Sequence, residues 1–288
     1  GTKPVAQAMV GGLSVQPGDN VVGTAGQDIA GFHNSLTTTN RQLCFNTGTF
    51  TPTSSFTLTT GETVRLGFTT IIDGSALSAN VFSANSISNF AVYGGEIRSR
   101  AGFAAIDVSG GTDFHLFPDL LTGGGAGIYI YGTSSRCSAG AYARNLGQGG
   151  SNGRDGVPIY TDYTTGYCDF PYVTHWGDAT GAGNVNAWAG GQFAGTDINV
   201  GRILVYNSAG GGARVGDLNA NPKSQRITVA QVIMDIGNTN GLFLINAENV
   251  TVGQVTVARA GCFSTCIGEA GVQIYGKVSN FAIDSIIS

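Results

Sequence analysis

Gly241-Leu242-Phe243-Leu244-Ile245 and Gly271-Val272-Gln273-Ile274-Tyr275 are two copies of one pattern, a glycine followed by alternating apolar residues. Earlier copies stand at Gly102-Phe103-Ala104-Ala105-Ile106, Gly127-Ile128-Tyr129-Ile130-Tyr131, Gly156-Val157-Pro158-Ile159-Tyr160 and Gly212-Ala213-Arg214-Val215. The spacings between successive starts are 25, 29, 56, 29 and 30, and 56 is two periods of 28. Asn184-Val185-Asn186-Ala187-Trp188, near the midpoint of that long interval, reads as a degenerate copy. A second series opens after Asn, Asp or Arg, at Phe90, Phe114, Phe170, Ile198, Ile227, Val250 and Phe281. With Ala141-Tyr142-Ala143 as its weak member, the spacings are 24, 27, 29, 28, 29, 23 and 31.

Two independent series therefore keep one period of about 28 residues, in the range of solenoid repeats. Each run is short, alternates apolar and polar, and is bounded by Gly, Asn, Asp or Ser, which is the pattern of strands and not of helices. Strands that recur at a fixed period pair with their own copies in the next turn, about 4.8 Å away, and bury one continuous apolar column. The expected fold is all-β: a right-handed parallel β-helix wound from one chain, about eight coils of about 28 residues, its hand following the rule for parallel crossovers. Leucine-rich repeats share this period range, but the strands here carry Val, Ile and Phe and lack the Leu signature. Residues 1–40 are expected to form an N-terminal arm and capping helix, with Ile29, Phe32 and Leu36 as its apolar face. Residues 41–82 supply lead-in strands and the first coils, and 83–288 the main solenoid. From the apolar pattern still running at Ile286-Ile287-Ser288, the last coil is expected to continue in a longer parent.

Composition agrees with many turns around apolar rows: 46 of 288 residues are glycine, 42% are hydrophobic and 11% are charged. The net charge of −4, with no basic cluster, disfavours nucleic acid and anionic membrane surfaces as partners. No apolar run reaches the roughly 20 residues of a membrane span.

Within the solenoid, Leu43-Cys44-Phe45-Asn46-Thr47-Gly48-Thr49-Phe50, Phe56 to Gly67 and Thr70-Ile71-Ile72-Asp73-Gly74 follow the cap helix. This progression resembles that of the pectin-lyase-like superfamily, in which an apolar helix leads into G-T-F, L-x-x-G-x-x-L-x-G and T-x-I-D-G segments. The resemblance covers most of the chain and implies the scaffold of polysaccharide lyases, glycoside hydrolases and phage tailspikes. It also implies an extracellular or virion-surface location and is compatible with a homotrimer. A Gly-Asp-Gly-x-Thr-Asp-Asp lead-in common in phage members is replaced here by Pro17-Gly18-Asp19-Asn20 and Gln27-Asp28.

A residue that continues a column of like residues is scaffold. Asn89, Asp113, Asp169, Asp197, Asn249 and Asn280 all precede the second strand, as turn-forming Asx residues do. His175 falls where Ile203 and Val232 sit in their coils, which suits a packed, hydrogen-bonded histidine or a catalytic one. Cys137 and Cys168 are separated by close to one period, so they stack at disulfide distance or form an inward ladder of free thiols; Cys262 and Cys266 are close enough to staple a loop. Two bridges would favour an oxidising compartment.

What the columns leave over concentrates between Arg154 and Trp188. Alternation from Val157 and Ile159 turns Tyr160 outward, and the same count turns Tyr131 and Tyr275 outward, with Trp188 near that column. Aromatic faces in a row suit successive sugar rings or the packing of subunits. On the first alternative Tyr131, Tyr160, Trp176 and Trp188 bind polysaccharide. Asp155 and Asp162 then flank one strand, to act as acid or base in a hydrolase, while Arg154 and His175 orient or neutralise an acidic sugar. The expected function is binding and depolymerisation of an extracellular or cell-surface polysaccharide by a lyase or glycoside hydrolase. The alternative is a non-catalytic spike or adhesin that binds surface glycan. No cofactor is expected: no cysteine or histidine spacing suits zinc or iron–sulfur, and the absence of a dense acidic cluster gives calcium little support.

Overall fold

The computed structural model describes residues 8–10, 13–16, 20–23, 29–35, 42–45, 47–147, 155–177, 188–207, 210–218, 224–235, 240–258 and 271–287. These form a parallel β-solenoid. One nine-stranded parallel sheet is built from Phe56–Thr57, Phe82–Asn85, Ala104–Ser109, Ala126–Tyr131, Ile159–Thr161, Gln192–Phe193, Ala213–Val215, Leu242–Ile245 and Val272–Tyr275. Strands begin within three residues of Gly127, Gly156, Gly241 and Gly271, as the repeat requires.

The rest of each coil belongs to an 18-stranded sheet. In early coils it supplies two short strands, for example Ser88–Tyr93 and Glu96–Ser99, then Thr112–Phe117 and Leu120–Gly123. From Gly166–Trp176 onward the two fuse into single long strands, Thr196–Tyr206, Ser224–Asp235 and Ala247–Val257. Among the described residues only the N-terminal strands Ala8–Val10, Leu13–Gln16 and Asn20–Gly23 pair antiparallel, and Asn20–Gly23 then joins Gln42–Phe45 in parallel.

Like residues stack on like. Phe56, Phe82, Ile106, Ile128 and Ile159 make one inward column, and Phe90, Phe114, Cys137, Cys168, Ile198, Ile227 and Val250 another. Phe56 and Phe82 stack at 4.9 Å, as do Phe90 and Phe114. Each such burial removes apolar area worth about 1.5–3 kcal/mol per side chain.

Register moves three sequence assignments. The rung expected at Asn184–Trp188 is supplied by Gln192–Phe193; residues 184–187 lie outside the described residues, and Trp188 makes an isolated bridge to Gly211. Ala141–Arg144 is not the copy of Phe114, since Cys137 pairs with Phe114 and Ala143 pairs with Leu121. Asp169 faces Asn199, so the residue in the turn column of that coil is Tyr167.

The helix Ile29–Ser35 closes the first coil. Ile29, Ala30 and His33 are buried, and His33 Nε2 meets Glu62 Oε1 at 2.5 Å. Asn34 donates to the Ser55 carbonyl and accepts from the Thr57 amide, fixing the helix to the rung at Phe56. Leu36, expected on its apolar face, lies outside the described residues. In the final rung, Ile274, Tyr275, Phe281, Ile286 and Ile287 are exposed.

Candidate functional site

Alternation in the nine-stranded sheet turns every second residue away from the core. Because coils stack in register, those residues form a line. Asp107 pairs with Tyr129, Tyr129 with Tyr160, Tyr160 with Gln192, Gln192 with Arg214, and Arg214 with Phe243. Five steps of about 4.8 Å give a line roughly 24 Å long. The Tyr129 ring lies 4.5 Å from Tyr160 and 4.7 Å from Tyr131, and the Tyr131 hydroxyl stands 3.4 Å from Asp107 Oδ2. At the far end Trp188 stacks on Phe243 at 5.2 Å, and Tyr275 continues the stack at 6.3 Å.

A pocket of about 400 Å³ opens at the Asp107 end, lined by Asn80, Asp107, Tyr129, Tyr131 and Asp155. Asp155 is buried there and accepts the Gly102 amide at 3.0 Å through Oδ1. Farther along, Arg214 donates from Nη1 to Gln192 Oε1 at 3.3 Å, while its buried Nε and Nη2 have no hydrogen-bond partner. Burial lowers the Arg214 pKa, against the raising effect of the Asp217 and Tyr160 charges. The guanidinium remains a cation in a half-dry setting, where its hydrogen bonds are stronger than in water.

The residues expected from sequence divide among several places. Asp155, Tyr131, Tyr160 and Trp188 line the pocket or its extension. Tyr160 stacks above Tyr129 and not above Tyr131, and Tyr275 sits above Ile245. Asp162 makes a turn between the sheets, where its Oδ1 accepts the Thr164 amide at 2.9 Å and the Thr164 hydroxyl at 2.6 Å. His175 is inside the solenoid in the column of Ala143 and Val205, two residues from the position expected. Neither of its ring nitrogens makes a hydrogen bond, and burial pushes its pKa down to about 4 against the weaker raising effect of the Ala189 backbone. A neutral histidine sealed in the core has no route to a substrate. Trp176 is on the other sheet, between Tyr142 and Tyr206 at 6.4 and 6.3 Å. Arg154, Cys262 and Cys266 lie outside the described residues.

Asp107, Tyr129, Gln192, Arg214 and Phe243 were not singled out from sequence. Most share one signal: each follows an inward aliphatic of its strand, Ile106, Ile128, Ala213 or Leu242. Cys137 and Cys168 are register partners with Cα atoms 4.5 Å apart, joined as a disulfide. Among the described residues no group of three or more His, Cys, Asp or Glu is placed to hold a metal ion, and no helix is long and apolar enough to cross a membrane.

No protein-family model matches the chain, and no curated protein sequence matches it. Among solved structures it is similar to one described as Geobacillus virus E2 - ORF18, at 13% identity over 84% of this chain, with a TM-score of 0.38. The chain spans 54% of that phage protein's length. A likeness so distant carries no argument about activity.

Proposed function

We propose that the protein binds an extended extracellular polysaccharide along the outer line of the nine-stranded sheet and cleaves it at the Asp107–Asp155 pocket. The observation that carries this proposal is two carboxylates lining one pocket, at the end of a line of tyrosines, an amide and a guanidinium. Glycoside hydrolysis uses two carboxyl groups on either side of the scissile bond, one to protonate the leaving oxygen and one to activate water or attack. Tyr131 and Tyr160, backed by the buried Tyr129, offer ring surface to sugars. On this view the chain is a diverged pectin-lyase-like protein working outside the cell or on a virion surface.

The second reading, a spike or adhesin that holds glycan without cutting it, is favoured by the bond from Gly102 to Asp155, which gives that carboxylate a structural task. Incubation with bacterial capsules and plant or algal polysaccharides separates the two. A hydrolase releases reducing ends without the ultraviolet absorbance of unsaturated uronates. That absorbance would point to a lyase, and binding without release to the adhesin.

A further inference from the structure

A second surface of different character lies on the other sheet. A groove of about 500 Å³ there is lined by Phe68, Ile71, Glu96, Asp119, Tyr142 and Trp176, among others. Phe68 is 89% exposed, Trp176 44% and Tyr142 40%. The aromatic surface continues through neighbouring coils, since Tyr142 packs on Tyr172 at 4.7 Å, and Trp176 stacks between Tyr142 and Tyr206 with planes within 10°. A single exposed apolar residue needs no explanation, but a contiguous aromatic strip beside a groove marks a binding surface.

The charged groups lining this groove are both acids. Asp119 Oδ2 accepts the Gly95 amide at 2.9 Å, and Glu96 Oε1 accepts Arg98 Nε at 2.6 Å and the Thr122 hydroxyl at 2.8 Å. Among the described residues the second oxygen of each carboxylate makes no hydrogen bond and can accept from a ligand's donors. Of the cations beside the groove, Arg98 is already shared between Glu96 and Asp73. A polyanion entering the groove would meet two like charges and no cation among the residues that line it, although the exposed Arg144, register partner of Trp176, stands at its edge. A second copy docking on this face about a two-fold axis would bring its own Glu96 and Asp119 into the same interface, gathering four carboxylates in one patch. A neutral sugar chain has neither difficulty: its C–H faces cover the aromatic rings, and its hydroxyls donate to the free carboxylate oxygens.

We infer that this groove is a second, non-catalytic binding site for a neutral polysaccharide, separate from the Asp107–Asp155 pocket and independent of what that pocket does. Affinity electrophoresis of the full chain in native gels containing dextran, xyloglucan, glucomannan or β-1,3-glucan tests it, with polygalacturonate as the polyanion. At least one neutral polymer should retard the chain. Phe68→Ala and Trp176→Ala should each raise the apparent Kd at least tenfold, while Tyr167→Ala, in the turn column and lining neither surface, leaves retardation unchanged. Phe68 is so exposed that its truncation leaves the fold intact, to be verified by circular dichroism. The inference is overturned if no neutral polymer retards the chain, if polygalacturonate alone does, or if retardation survives both groove variants. It is equally overturned if light scattering finds a dimer that Phe68→Ala converts to monomer.

Discussion

Asn89, Asp113, Arg136, Tyr167, Asp197, Arg226, Asn249 and Asn280 stand one above another at the entry to the second strand, and all hold positive φ between 51° and 58°. This left-handed conformation costs most residues about 1–2 kcal/mol, less for Asn and Asp, whose short side chains bond locally. Arg136 and Arg226 break the Asx rule but each forks onto the Asp of the coil before it, Asp113 at 2.7 Å and Asp197 at 2.6 and 2.8 Å. Tyr167 is 65% exposed and keeps the strain for little packing. Tyr167→Asn should therefore stabilise the fold by about 1 kcal/mol, seen as a higher denaturant midpoint. At the same scale, His175 makes the core acid-sensitive. Unfolded, it takes a proton near its ordinary value of 6.5; folded, it resists until about 4. Its contribution to stability is thus complete above pH 6.5 and is lost as pH falls towards 4, by about 3 kcal/mol at most. His175→Val, matching Val205 above it, should flatten that part of the stability–pH curve between pH 6.5 and 4.

At the level of elements, the cap helix is held by the buried His33–Glu62 contact together with the packing of Ile29 and Ala30. Glu62 also accepts the Thr59 amide at 2.8 Å, so the carboxylate ties helix, turn and first coil together. His33→Ala leaves Glu62 buried beside a void and should lower unfolding stability by roughly 3 kcal/mol, the scale for breaking a buried polar pair from one side. A loss under about 0.5 kcal/mol, the range of an ordinary surface substitution, would show that the helix is held by its apolar face alone. The solenoid itself was legible because Gly212, Gly241 and Gly271 open strands that pair in phase. Register in the middle was not, because coil length varies with the turns: the step from Asp107 to Tyr129 is much shorter than that from Tyr160 to Gln192. A fixed period therefore missed the short strand at Gln192–Phe193, which is set by its neighbours and not by its own composition. The same irregularity is why Tyr129, and not Tyr131, pairs with Tyr160.

Across the whole molecule, the solenoid turns small errors of register into large errors of place. Asp155 and Asp162 are near neighbours in sequence, yet one lines the pocket and the other closes a turn. Trp176 stands on one sheet, while Trp188 stacks on Phe243 of the other, for the same reason. Tyr131, Tyr160 and Asp155 were recognisable as outliers from the repeat, whereas Asp107 and Arg214 became visible only when strands were paired, since either alone looks like an ordinary surface charge. The line from Asp107 to Phe243 is thus a property of stacking, and its use rests on the two carboxylates at its end. Comparison of Asp107→Asn and Asp155→Asn with the unaltered chain, on whichever polysaccharide it cleaves, tests this most directly. Asn at position 155 still accepts the Gly102 amide, and circular dichroism checks that both variants keep the fold. Turnover in each variant should fall at least about 100-fold while polymer affinity stays within about threefold. Unchanged turnover in both would contradict the assignment of cleavage to this pocket.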